Sequence, residues 1–102
     1  MAGTISTTVT VSNAETAVQF QAQPQPIVSL MVEWHQDNTA GAKMYVGDSA
    51  VTAADTGFLL DGTVYFAKRV IEFPAGNPGD LSDFWVDSDT SGSKVNVMAV
   101  TV

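Results

Sequence analysis

Gly, Pro, Asn and Asp punctuate this chain at even spacing into short, strand-patterned runs, and that punctuation most limits its fold. Residues 4–11, T-I-S-T-T-V-T-V, alternate strictly: Ile5, Val9 and Val11 fall on one face, Thr4, Thr8 and Thr10 on the other. Such period-2 patterning predicts a strand with one face buried. Residues 12–15 read as a turn, and residues 17–21 as a second strand with Val18 and Phe20 inward. Pro24 and Pro26 each lack a backbone donor, so that piece should be extended, at an edge or outside a sheet. Residues 27–34, I-V-S-L-M-V-E-W, predict a third and more deeply buried strand before a turn at 35–41.

The middle of the chain, residues 42–52, places the short strand Met44-Tyr45-Val46 ahead of a Gly47-Asp48-Ser49 turn and β-branched Val51-Thr52. Phe58-Leu59-Leu60 predicts a further strand, and Asp61-Gly62 a tight hairpin into residues 63–73, the longest strand candidate. Residues 74–79 are loop. Residues 81–86 and 94–102 close the chain as two strands around a turn at 87–93. The expected fold is all-β: an antiparallel β-sandwich or jelly-roll-like barrel of about eight short strands. At 102 residues it forms one domain, 1–102, with residues 1–12 a candidate N-terminal assembly arm.

Charge narrows the partners. Eleven acidic residues face four basic ones, for a net charge of −7, and no basic cluster exceeds Lys68-Arg69. A phosphate backbone would be repelled, so nucleic acid is not an expected partner. Charged residues make up only 15% of the chain, against about 25% in an average soluble domain. Thr, Ser, Val and Ala take their place, which points to a surface partly covered by copies or partners. Neither a signal-peptide pattern nor an apolar run long enough for a bilayer is visible, so no membrane role is expected. Without cysteine, disulfides and thiolate chemistry are excluded.

The adjacent aromatic pairs Tyr65-Phe66 and Phe84-Trp85 constrain the surface further. Neighbours on a strand point to opposite faces, so one ring of each pair should leave the core, pointing to a subunit contact unless a bulge or loop lets both rings fold inward. Thr4 and Ile5 join these four as interface candidates on the strand-forming arm.

Catalytic and metal patterns fall short. Gly47-Asp48-Ser49 after a strand resembles the nucleophile block of GDS-type lipases and esterases, but that chemistry needs a histidine base beyond the serine. The single histidine, His35, precedes Ser49, and the family's leucine is Ala50. No enzyme, and no cofactor, is expected. Asp87, Asp89 and Ser91, with Gly92, match the first half of a calcium loop, while the bidentate glutamate position is Met98. A plain polar turn is the simpler reading. Trp34 and Tyr45, with Trp85, form a possible sugar-stacking set against the commoner alternative of aromatic core.

Blocks in residues 43–102 carry a resemblance: M-Y-V-G-D-S-A-V-T, G-F-L-L, E-F-P-A-G, D-L-S-D-F-W-V-D-S and G-S-K-V-N-V-M-A-V. They resemble a group of small tailed-bacteriophage virion proteins that share a V-Y-V-G-x-x-x-V-T block, a G-x-x-L step, a D-L-x-x-x-x-V block and a closing valine strand. This chain departs from the pattern with D-G where P-G is common, and with an inserted G-N-P-G before D-L-S. The resemblance implies a virion structural protein: a head decoration (cement) protein, or a fibre, spike or head–tail component. It would be made in the bacterial cytoplasm and assembled onto the capsid surface. The expected partners are the major capsid protein and further copies of the chain, in a homotrimer. A carbohydrate-binding module on a fibre is the alternative.

Overall fold

The structure is a computed structural model that describes residues 3–52, 57–61, 67–74 and 76–102. Its strands are β1 (Thr4–Val11), β2 (Val18–Gln19), β3 (Pro26–Trp34), β4 (Lys43–Gly47), β5 (Phe58–Asp61), β6 (Lys68–Glu72), β7 (Gly79–Asp80), β8 (Trp85–Ser88) and β9 (Ser93–Thr101). They form two antiparallel sheets. The first runs β1-β9-β3-β6, with β7 also paired to β3; the second runs β2-β8-β4-β5.

The pairs β1·β9, β2·β8, β3·β6 and β4·β5 are successive rungs of one ribbon folded back on itself. Alternate rungs fall in opposite sheets, so the ribbon is rolled into a sandwich with jelly-roll strand order. The all-β sandwich expectation therefore holds.

Between the sheets lie Val9, Val11, Leu30, Val32, Val95, Val97 and Ala99 from the first, and Met44, Val46, Leu60 and Val86 from the second. Each large aliphatic side chain withdrawn here contributes about 1.5–3 kcal/mol. Phe84 closes one end of the core against Phe20 and Phe73, with ring centroids 6.3 and 6.1 Å apart. Near the β5 and β6 edges, the Arg69 guanidinium lies 5.6 Å from the centre of the Phe58 ring.

Local chemistry moves several expected boundaries. Pro26 opens β3, where a missing donor is tolerated. Ile27 and Leu30 are both fully buried although three residues apart, a spacing that a regular strand forbids. A bulge between Ile27 and Ser29 resets the phase, and the Val28 carbonyl accepts from the Phe73 N–H at 2.9 Å. The second strand is only Val18–Gln19; beyond it, Phe20 N–H bonds the Phe84 carbonyl at 2.9 Å.

The expected strand at 81–86 is instead a 3-10 turn, Leu81–Asp83, followed by β8. Asp80 causes it: its Oδ1 accepts from Ser82 Oγ at 2.6 Å, Ser82 N–H at 2.9 Å and Gln25 N–H at 3.0 Å. The expected turn at 87–93 shrinks to residues 89–92, because Asp87 and Ser88 are ladder residues opposite Tyr45 and Met44. Of the expected long strand at 63–73, the described part forms β6 from Lys68 to Glu72; Ala67 stands outside the ladder, though its carbonyl receives Trp34 N–H at 2.8 Å. Residues 63–66, and the Gly62 of the expected hairpin, lie outside the described residues.

Within the expected assembly arm or strand at 1–12, the described residues include the whole of β1. β1 pairs with β9 in unbroken register from Thr4 to Val11, and its Val9 and Val11 sit in the core.

Candidate interaction surface

The Gly47-Asp48-Ser49 stretch ends β4 in a tight turn. Asp48 Oδ1 accepts the Ala50 N–H at 2.9 Å, and the Asp48 carbonyl accepts the Val51 N–H at 3.0 Å. His35 is engaged in its own turn, where Nδ1 accepts the Asp37 N–H at 3.0 Å and stands 3.9 Å from Asp37 Oδ2.

The calcium-loop residues serve the fold in three directions. Buried Asp87 accepts the Ser88 N–H at 2.7 Å through Oδ1. Asp89 Oδ1 accepts the Lys43 N–H at 3.0 Å and the Thr90 hydroxyl at 2.9 Å. Ser91 Oγ accepts the Ala14 N–H at 2.9 Å, tying this loop to the turn after β1. Among the described residues no group of three His, Asp or Glu side chains could hold a metal ion.

Trp34 leaves the sugar-stacking set. It is 4% exposed, and its indole Nε1 donates to the Ala42 carbonyl at 2.9 Å, so the ring is core. Tyr45 and Trp85 are half-buried. By register Gly47 faces Trp85 and Tyr45 faces Asp87, so the two rings are diagonal neighbours on the outward face of the second sheet, beside Leu59. Phe84 packs against the core, and Trp85, also half-buried, follows it in β8. Tyr65 and Phe66 lie outside the described residues. Thr4 is exposed on β1, and Ile5 packs half-buried against the core.

Three residues not expected from the sequence to be a surface feature make an apolar row on the outside of the first sheet. Across β6, β3, β9 and β1 the register aligns Val70, Met31, Met98 and Ser6 in one row. Val70 is 57% and Met98 43% exposed, with Met31 half-buried between them. The adjoining row, Lys68, Glu33, Asn96 and Thr8, is hydrogen-bonded: Thr8 Oγ1 donates to Asn96 Oδ1, and Asn96 Nδ2 to Glu33 Oε1, both at 3.4 Å. From these rows Ser6, Thr8, Met31, Glu33, Asn96 and Met98 line an open depression of about 360 Å³.

The signal was present in S-L-M-V-E and N-V-M-A-V. A methionine at the outward parity makes a strand apolar on both faces, which reads as burial rather than as an exposed stripe. Compared with models of known protein families and with curated protein sequences, the chain finds no match.

Proposed function

We propose that this chain is a structural protein of a tailed-phage virion, a decoration (cement) protein that self-associates and binds the major capsid protein on the head surface. The observation that carries the reading is the Val70–Met31–Met98 row beside its hydrogen-bonded polar row. Exposed apolar side chains aligned on an outer sheet face, with polar groups at the rim, suit protein–protein docking. The resemblance of residues 43–102 to small phage virion proteins supplies the class of partner. Cement proteins bury area across capsomer boundaries and so oppose the pressure of packaged DNA.

Mass spectrometry of virions purified from a culture carrying the gene should find the chain in stoichiometric amount. Met98→Glu should cut its incorporation at least tenfold while leaving a folded protein, because the side chain points outward. Virions that lack the wild-type chain overturn the reading.

The diagonal pair Tyr45 and Trp85 favours one alternative, a carbohydrate-binding fibre module. Saturable glycan binding lost in Tyr45→Ala, with no chain in the heads, would select it.

A further inference from the structure

Among the described residues, the sheet edges of this molecule are treated unequally. β6 carries Lys68, Arg69 and Glu72 within five residues. β2 is two residues long and is followed by Pro24 and Pro26. β5 has four residues and ends on Asp61. Short length, charge and proline are the devices that keep edges from pairing with other chains.

β1 has none of them. It is eight residues long, lacks proline, shows no register shift, and lies in a stretch without a charged residue before Glu15. In a chain of net charge −7, this is the edge where two copies can meet without like charges in contact.

Its hydrogen-bonding side follows from the ladder. Thr101 N–H donates to the Gly3 carbonyl and Gly92 N–H to the Val11 carbonyl, both at 2.8 Å. Odd-numbered residues of this strand therefore turn their backbone groups towards β9. By alternation, Thr4, Ser6, Thr8 and Thr10 turn theirs to the open side, where no strand pairs among the described residues.

We infer that β1 pairs antiparallel with β1 of a second copy about a two-fold axis at Thr7, joining the two first sheets into one. This deepens the assembly reading above, on which it rests for its biological setting, by naming the contact between copies. In this register Thr4 faces Thr10 of the partner copy and Ser6 faces Thr8, each pair exchanging backbone bonds. Those residues place hydroxyls opposite hydroxyls on the outer face, a favourable cross-strand combination. A register shifted by one residue would set outward Thr against inward Val and is excluded by the pleat. Thr7, exposed and at the axis, meets itself.

The test is light scattering on the full chain and on Thr7→Lys, Thr7→Glu and their equimolar mixture, with circular dichroism to confirm folding. The wild type should have the mass of two chains. Each variant alone should be monomeric because like charges face each other across the axis, and the mixture should return to two chains. Ser6→Pro, which removes an open-side N–H and leaves the β9 ladder intact, should also be monomeric. A wild-type monomer at every concentration overturns the inference, as does a three-chain mass. So does a dimer unaffected by either Thr7 variant. Virion composition is read separately: the chain found in heads while wild type is monomeric removes this contact alone, and a two-chain mass with empty heads removes the virion reading alone.

Discussion

Gly57 rests against the peptide of Val46 with no space for a side chain. A β-carbon there would lie 2.8 Å from the Val46 carbonyl carbon and 2.9 Å from Val51 Cγ2, and Gly57 has φ +87°. Both the backbone angle and the contact therefore demand glycine. Gly57→Ala should destabilise the fold by about 1–3 kcal/mol, seen as a lower urea midpoint with an unchanged m-value.

Trp34 holds the Ala42 carbonyl inside the core. Trp34→Phe keeps most of the ring but leaves that carbonyl without its indole donor. A loss of about 1–3 kcal/mol is expected in chemical denaturation. Glycan binding, where present, should not change, because the ring has no exposed face to lose.

Asp80 makes the structure acid-sensitive at one defined place. The Ser82 hydroxyl, then the Gln25 N–H and the Ser82 N–H, hold its carboxyl below the ordinary value of 3.8. A folded-state pKa lower than the unfolded one gives stability that is full above about pH 4 and is lost as pH falls through the folded value. Asp80→Asn should flatten the pH dependence of the denaturation midpoint in that window. Equal slopes in variant and wild type would rule the effect out.

Removal of residues 1–12 should abolish cooperative unfolding rather than yield a folded core without its arm. The deletion strips β9 of one neighbour and takes away Val9 and Val11, each worth about 1.5–3 kcal/mol. Thermal melts followed by circular dichroism decide it: a sharp transition in the truncated chain would show that β1 is dispensable.

The all-β class and most strands could be read from the sequence because alternation in β1 and β9 reports one buried face directly. Thr4, Ser6, Thr8 and Thr10 mark the outside of β1 as clearly as Val9 and Val11 mark its inside. What escaped depended on contacts between distant residues. Nothing local in I-V-S-L shows that a bulge will bring both Ile27 and Leu30 inward; the Phe73 N–H that takes up Val28 comes from far along the chain. Asp80 organises a turn partly through Gln25, and Ser88 belongs to a strand because it pairs with Met44, its hydroxyl also donating to the Lys43 carbonyl at 2.9 Å. For the candidate surface, Met31 and Met98 became visible only when the register set them side by side with Val70.

β9 lies between β1 and β3. During synthesis the two flanking strands leave the ribosome long before the one that must separate them. Until β9 emerges, β1 has no partner and β3 lacks one side, so the first sheet cannot close before that strand is made. Pairing of Thr4 with Val100 is among the most distant contacts a chain of this length can make, and such contacts slow folding. The nascent protein should therefore spend the interval between β3 and β9 half-sheeted, with a bare β1 as the segment that chaperones or neighbouring nascent chains reach first.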